Sequence, residues 1–196
     1  MNNNATRKHI IEAADMLFYQ QGYEATSFMD ISKVVKISRG NFYYHFKSKD
    51  ELLNAVIEER MINTGKMLRL WEIEGQNPLE RIQCFIRILI KNQNKIKLYG
   101  CPVGTLSMEL AKLNHNLRFE TNKIFSLFRS WLREQFTLLG CKDNADELAM
   151  HLLARSQGVA TLTSAFRDEQ FVKLEVKQMD DWIKRQMKPV KGTTCQ

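Results

Sequence analysis

Proline occurs at only three of 196 positions, Pro78, Pro102 and Pro189. Its ring removes an amide donor and collides with the preceding turn, so helices end or kink where it stands. Between these points nothing forbids helices of many turns, and the apolar residues recur at helical spacing. Ile10, Ala14, Leu17 and Phe18 share one face of a first helix over Thr6–Gln21, which Gly22 closes. A short second helix carries Phe28, Ile31 and Val34 or Val35 inward, with Thr26 and Ser27 as cap hydroxyls; a third runs from Arg39 to about Tyr44 behind Ser38. Ser48-Lys49-Asp50-Glu51 has the Ser-x-x-Glu form of a capping box ahead of a long fourth helix that includes Leu52, Val56, Leu68 and Trp71.

Asn77-Pro78 begins a fifth helix, which Tyr99-Gly100-Cys101-Pro102 breaks. Helices over about 103–112, 116–139, 145–166 (capped by Asn144 or Asp143) and 169–188 complete the pattern. No strand-period segment or internal repeat competes with it. The expected fold is all-α with about nine helices: a three-helix helix-turn-helix head and a helical-bundle body. The head is expected over residues 1–50, the linking helix over about 48–75, the body over 51–190 and a frayed tail over 191–196.

The formal charge is +7, but its distribution says more than its size. Between Ile31 and Lys49 stand five basic side chains, Lys33, Lys36, Arg39, Lys47 and Lys49, and no Asp or Glu. A local basic stripe is the electrostatic footprint of a phosphate backbone. The four cysteines and four histidines have no zinc-ligand spacing, so no metal or cofactor is expected. No phosphate loop, dinucleotide fingerprint, zinc-protease helix or nucleophile elbow is present, which argues against an enzyme. A polar N-terminus and the lack of any run of 18 uncharged apolar residues point to a cytoplasmic protein without a membrane partner.

Two short helices joined by about three residues make a helix-turn-helix. The N-terminal end of the second, Ser38-Arg39-Gly40-Asn41, is the part such helices present to the major groove. Arg39 offers guanine a fork of donors and Gly40 leaves room for close approach. Tyr43, Tyr44, His45 and Lys49, with Thr26 and Ser27 at the start of the second helix, are placed to donate to phosphates. Phe42 and Phe46 belong to the core, and packing with them is the alternative reading for one of the two tyrosines.

The segment ATSFMDISKVVKISRGNFYYHFKSKDELL resembles the DNA-binding head of the TetR family over roughly residues 7–58. That resemblance implies three head helices, a fourth that links to the body, dimerisation through the last two long helices, and repression relieved by a ligand. It maps Arg39 and Gly40 to base-reading positions, and Thr26, Tyr43, Tyr44, His45 and Lys49 to backbone-contacting ones. One position departs from the family pattern: Lys36 stands in the turn where a small residue, often glycine, is usual. A left-handed backbone there costs roughly 1 kcal/mol without glycine.

The string YGCPVGTLSMELAKLNHNLR resembles a subgroup with a Gly-Cys-x-x-Gly sequence at the start of the short sixth helix. Cys101 would cap that helix, whose positive end favours a nucleophilic sulfur, so a thiol-reactive signal stands beside a non-covalent small molecule as the expected effector. Candidate pocket walls are Phe85, Leu89, Cys101, Met108, Phe125, Phe128, Trp131 and Leu162. The candidate interface of a homodimer comprises Leu148, Leu152, Gly158, Val159, Leu162, Phe171, Leu174, Met179 and Ile183. The functional expectation is a repressor released from a near-palindromic double-stranded operator; the alternatives are an activator or an architectural DNA-binding protein without a ligand.

Overall fold

The computed structural model describes residues 3–186. Among these there are ten α-helices and no strand: α1 (Asn3–Gln21), α2 (Phe28–Val35), α3 (Arg39–His45), α4 (Lys49–Glu74), α5 (Pro78–Lys91), α6 (Gln93–Tyr99), α7 (Pro102–Lys112), α8 (Arg118–Leu138), α9 (Ala145–Phe166) and α10 (Glu169–Gln186). The all-α expectation holds. Its fifth helix is divided at Asn92, where the polar run Lys91-Asn92-Gln93-Asn94 interrupts the apolar period and leaves Asn92 outside helical geometry at φ −107° and ψ 10°. The expected end of the last helix at Lys188, the tail 191–196 and Cys195 lie outside the described residues.

The chain forms two compact units, neither of them continuous in sequence. One joins the residues up to Lys66 with Leu98–Leu127; the other joins Met67–Lys97 with the residues from Phe128 onward. The sequence reading drew its boundary in chain order near residue 50, whereas α7 and the start of α8 group with α1 to α3. In this first unit α1 packs on α2 and α7, and α2 on α3. Its core is built from fully buried Ile10, Ala14, Ile31, Phe42, Phe46, Leu52, Leu53, Val56 and Leu110.

In the second unit α5 packs on α9 and α10 over Ile82, Ile86, Leu152, Met179 and Ile183. An aromatic cluster joins Trp71 to Trp131 (5.6 Å between centroids) and to Phe85 (6.4 Å), with Phe128 against Phe85 at 5.7 Å. Trp131 Nε1 donates to Glu72 Oε1 at 2.8 Å, which satisfies the one polar atom of that ring.

Most helix starts follow their sequence signals. Asn77 accepts the Glu80 N–H with Pro78 in the first turn, and Cys101 Sγ accepts the Gly104 N–H at 3.4 Å with Pro102 in the first turn. Neither cap expected for α9 is realised: Lys142–Asn144 is a 3-10 turn, Asn144 makes no side-chain cap bond, and Asp146 inside the first turn pairs with Arg129 instead.

Candidate nucleic-acid interface

The start of α2 decides between the two cap hydroxyls. Ser27 is the N-cap; its Oγ accepts the Asp30 N–H at 3.2 Å while Asp30 Oδ2 accepts the Ser27 N–H at 3.0 Å, a complete capping box. The hydrogen bonds from Ser27 hold the Asp30 carboxyl below the usual carboxylate range. Thr26 is buried, its hydroxyl donating to the Gly22 carbonyl at 2.6 Å and accepting from Gln21 Nε2 at 3.2 Å. The Thr26 oxygen, expected at a phosphate, is thus already bonded within the turn, whereas Ser27 beside it is exposed.

At the far end of α2 the C-cap Lys36 has φ 57° and ψ 45°, the left-handed conformation that favours glycine. The turn is thus of the usual shape with an unusual residue in it. Ser38 then caps α3, accepting the Asn41 N–H at 3.2 Å. Arg39, Gly40 and Asn41 form an exposed first turn, and a Cβ placed on Gly40 would have nothing within 4 Å. The Arg39 guanidinium lies over the Tyr43 ring at 5.5 Å, and Tyr43 leans edge-on against Phe28 at 5.5 Å. Tyr43 is thus the half-packed tyrosine, and Tyr44 is the exposed one, at 65%, its hydroxyl accepting from Asn3 Nδ2 at 3.4 Å with partly buried His45 beside it.

Between α2 and α3 runs a groove lined by Ser27, Phe28, Met29, Ser32, Lys33, Lys36, Ile37, Arg39, Phe42 and Tyr43. It gathers three cations and no carboxylate, with aromatic edges between them. Lys33, one of the five cations of the basic stripe, lies on this groove. Its spacing of three residues from Lys36 was the available signal.

Lys49 is placed differently from the expectation. Its half-buried ammonium donates to the Glu24 carbonyl at 3.0 Å and sits 4.3 Å over the Tyr23 ring, and burial lowers its pKa. It is tied into the α1–α2 turn, which α7 grips from another direction. Glu109 accepts the backbone N–H groups of Tyr23 and Glu24, both at 2.9 Å, and Tyr23 donates its hydroxyl to Asp50 at 2.8 Å, with His115 Nε2 3.2 Å from the same oxygen. Burial, and then Asp50, push the Tyr23 hydroxyl pKa up. Two further ties join this unit: Tyr19 donates to the Gly100 carbonyl at 2.7 Å, and Arg60 bridges Asp15 and the Pro102 carbonyl, both at 2.6 Å.

The expected pocket walls fall in different places. Cys101, Met108 and Phe125 belong to the first unit, and Phe85, Leu89, Phe128, Trp131 and Leu162 to the second. Met108 (62% exposed) and Leu162 (41%) project outward and so wall no cavity inside their own units. The expected dimer residues also divide. Leu148, Leu152, Val159, Met179 and Ile183 are buried within their own unit, because they occupy the inward faces of α9 and α10. Gly158, Leu162 and Leu174 (54% exposed) face outward, Phe171 is partly buried, and Phe166, absent from the expectation, is 74% exposed. Among the described residues no helix is long and apolar enough to cross a membrane, and no group of His, Cys, Asp or Glu is arranged to hold a metal.

Comparison with known proteins covers both halves of the chain. Residues 10–56 match bacterial regulatory proteins of the tetR family, and residues 78–178 match the C-terminal domain of LmrA/YxaF-like transcriptional regulators. An uncharacterised HTH-type transcriptional regulator in the lacX 3' region of Lactococcus lactis subsp. lactis is 30% identical over 171 residues, 85% of this chain and 87% of that protein. The HTH-type transcriptional repressor DhaR of Mycobacterium sp. (strain GP1) is 25% identical over 68% of this chain and 65% of its own length. A TetR transcriptional regulator from Legionella pneumophila shares the fold with a TM-score of 0.82 at 24% identity, covering 93% of this chain and 99% of that one.

Proposed function

Because the chain belongs to the TetR family of helix-turn-helix transcriptional regulators, we propose that it acts as a homodimeric repressor that leaves a near-palindromic operator when an effector reaches its body. The observation that carries this reading is the exposed first turn of α3, Arg39 to Asn41, with open space at Gly40, beside a groove lined by Lys33, Lys36 and Arg39. Arg39 reads a base through its donor fork, held over the Tyr43 ring, and Gly40 admits a base edge or backbone. Ser27, Lys36, Ser38, Tyr43, Tyr44 and His45 contact the phosphates that fix the register. Lys49 serves that contact indirectly, by holding the turn before α2. Repression is supported by the named activity of the Mycobacterium relative.

Dimerisation is supported by an outward stripe on α9 with a four-residue period, Ala154, Gly158, Leu162 and Phe166, whose small residues admit a close second helix. The effector reading rests on the apolar, aromatic body and on the cap position of Cys101. Footprinting on DNA upstream of the protein's own gene tests the whole. The expected protection covers two half-sites about one helical turn, roughly 34 to 36 Å, apart or somewhat more. Protection of a single half-site by a monomer at working concentration rejects the dimeric reading. Alkylation of the native protein followed by operator release separates the effector classes. If Cys101 reacts no faster than Cys84 and Cys141, and Cys101→Ser releases DNA as the wild type does, the effector is a non-covalent guest.

A further inference from the structure

We infer that Glu109 on α7 is a positioning residue for DNA recognition, holding the backbone before α2 in its operator-binding form although its side chain touches no DNA-facing group. The inference rests on the reading of α2 and α3 as the DNA-binding face. The Glu109 carboxylate accepts two consecutive amides, those of Tyr23 and Glu24, each at 2.9 Å. Gly22, just before them, has φ +93°, and a Cβ there would lie 3.0 Å from Glu109 Oε1. The turn is thus shaped around the carboxylate. On its other side the Lys49 ammonium donates to the Glu24 carbonyl at 3.0 Å. Thr26 closes the segment back on Gly22 and Tyr23. The next residue begins the Ser27–Asp30 capping box that opens α2, so the position of α2 in its unit follows from where this turn is held.

Charge alone predicts the opposite effect. A carboxylate on the DNA-binding unit repels phosphate, so neutralising it without moving anything strengthens DNA binding. Glutamine is nearly isosteric but keeps one acceptor oxygen and turns an NH2 group toward the other amide. The positioning role therefore predicts weaker operator binding from the loss of a negative charge.

The experiment titrates the full-length wild type and Glu109→Gln onto the footprinted duplex and onto a random duplex of equal length, at several salt concentrations. Binding by the wild type checks the DNA-binding reading separately. The expected result is an operator affinity lower by about tenfold, random-duplex affinity that does not fall, an unchanged salt slope, and faster hydrogen exchange at the Tyr23 and Glu24 amides. Operator binding that is unchanged or tighter overturns the inference, as does a parallel loss on both duplexes. Exchange in the wild-type operator complex needs no variant: protected Tyr23 and Glu24 amides support the role, and freely exchanging ones overturn it.

Discussion

Lys36 adopts a backbone conformation that an L-residue with a side chain adopts at a cost of roughly 1 kcal/mol. Lys36→Gly is expected to raise the unfolding free energy by about 1 kcal/mol, to be read from chemical denaturation. The same change removes a cation from the α2–α3 groove, so operator affinity should fall and the salt slope should drop by about one unit. Stability and binding then move in opposite directions at one position. Gly40 is a complementary case. A methyl group there meets no atom of the protein, and Gly→Ala within a helix stabilises by roughly 0.5 to 1 kcal/mol. Gly40→Ala should therefore melt no lower than wild type while losing operator affinity, and unchanged affinity would remove Gly40 from the base-reading surface. Arg39→Ala is expected to cost about 1 to 3 kcal/mol at one base pair and to relax preference there, measured on matched and mismatched operators. The sequence flags Lys36, Arg39 and Gly40 because each departs from or fits a local pattern. It does not reveal Glu109 or the true place of Lys49, whose partners come from distant segments.

At the scale of the helix, caps are readable because they are local chemistry. Ser27, Ser38, Asn77 and Cys101 all stand where short-range rules put them. The break at Asn92 is harder to read, since no proline or glycine stands there and only the polar run from Lys91 to Asn94 marks it. Ser27→Ala is expected to lower stability by about 1 kcal/mol through loss of the α2 cap. Asp30 adds a pH signature. Its folded-state pKa lies below the ordinary carboxylate value of about 4, so its contribution is fully present above that value and fades as the pH falls through the lower folded one. Melting curves across acid pH should show this loss in the wild type and lack it in Asp30→Asn. The periodicity of α9 marks an apolar helix but not which of its faces is inward, because α5 and α10 cover one apolar stripe and leave the stripe ending at Phe166 outside.

For the whole molecule the proposed dimer surface is this outer stripe. Phe166→Glu is expected to leave the helical content and melting of the monomer intact, since the side chain is mostly exposed, and to shift sedimentation from dimer to monomer with loss of cooperative operator binding. A dimer that survives Phe166→Glu and Leu162→Glu together places the interface elsewhere. Gly158 offers a second probe: a bulky side chain there has open space in the single chain and blocks only a closely packed partner.

The discontinuity of the DNA-binding unit has a consequence for recombination. Regulators of this kind invite chimeras in which one protein's reader is fused to another's sensor, with the junction in the long fourth helix. Such a cut separates α1 from α7, and with it Tyr19 from Gly100, Arg60 from Pro102, and the Tyr23 and Glu24 amides from Glu109. The exchangeable cassette is the pair of segments up to Lys66 and Leu98–Leu127 together. Grafts that carry both should keep donor operator choice, while grafts that carry only the first should bind their operator weakly whatever the sensor attached to them.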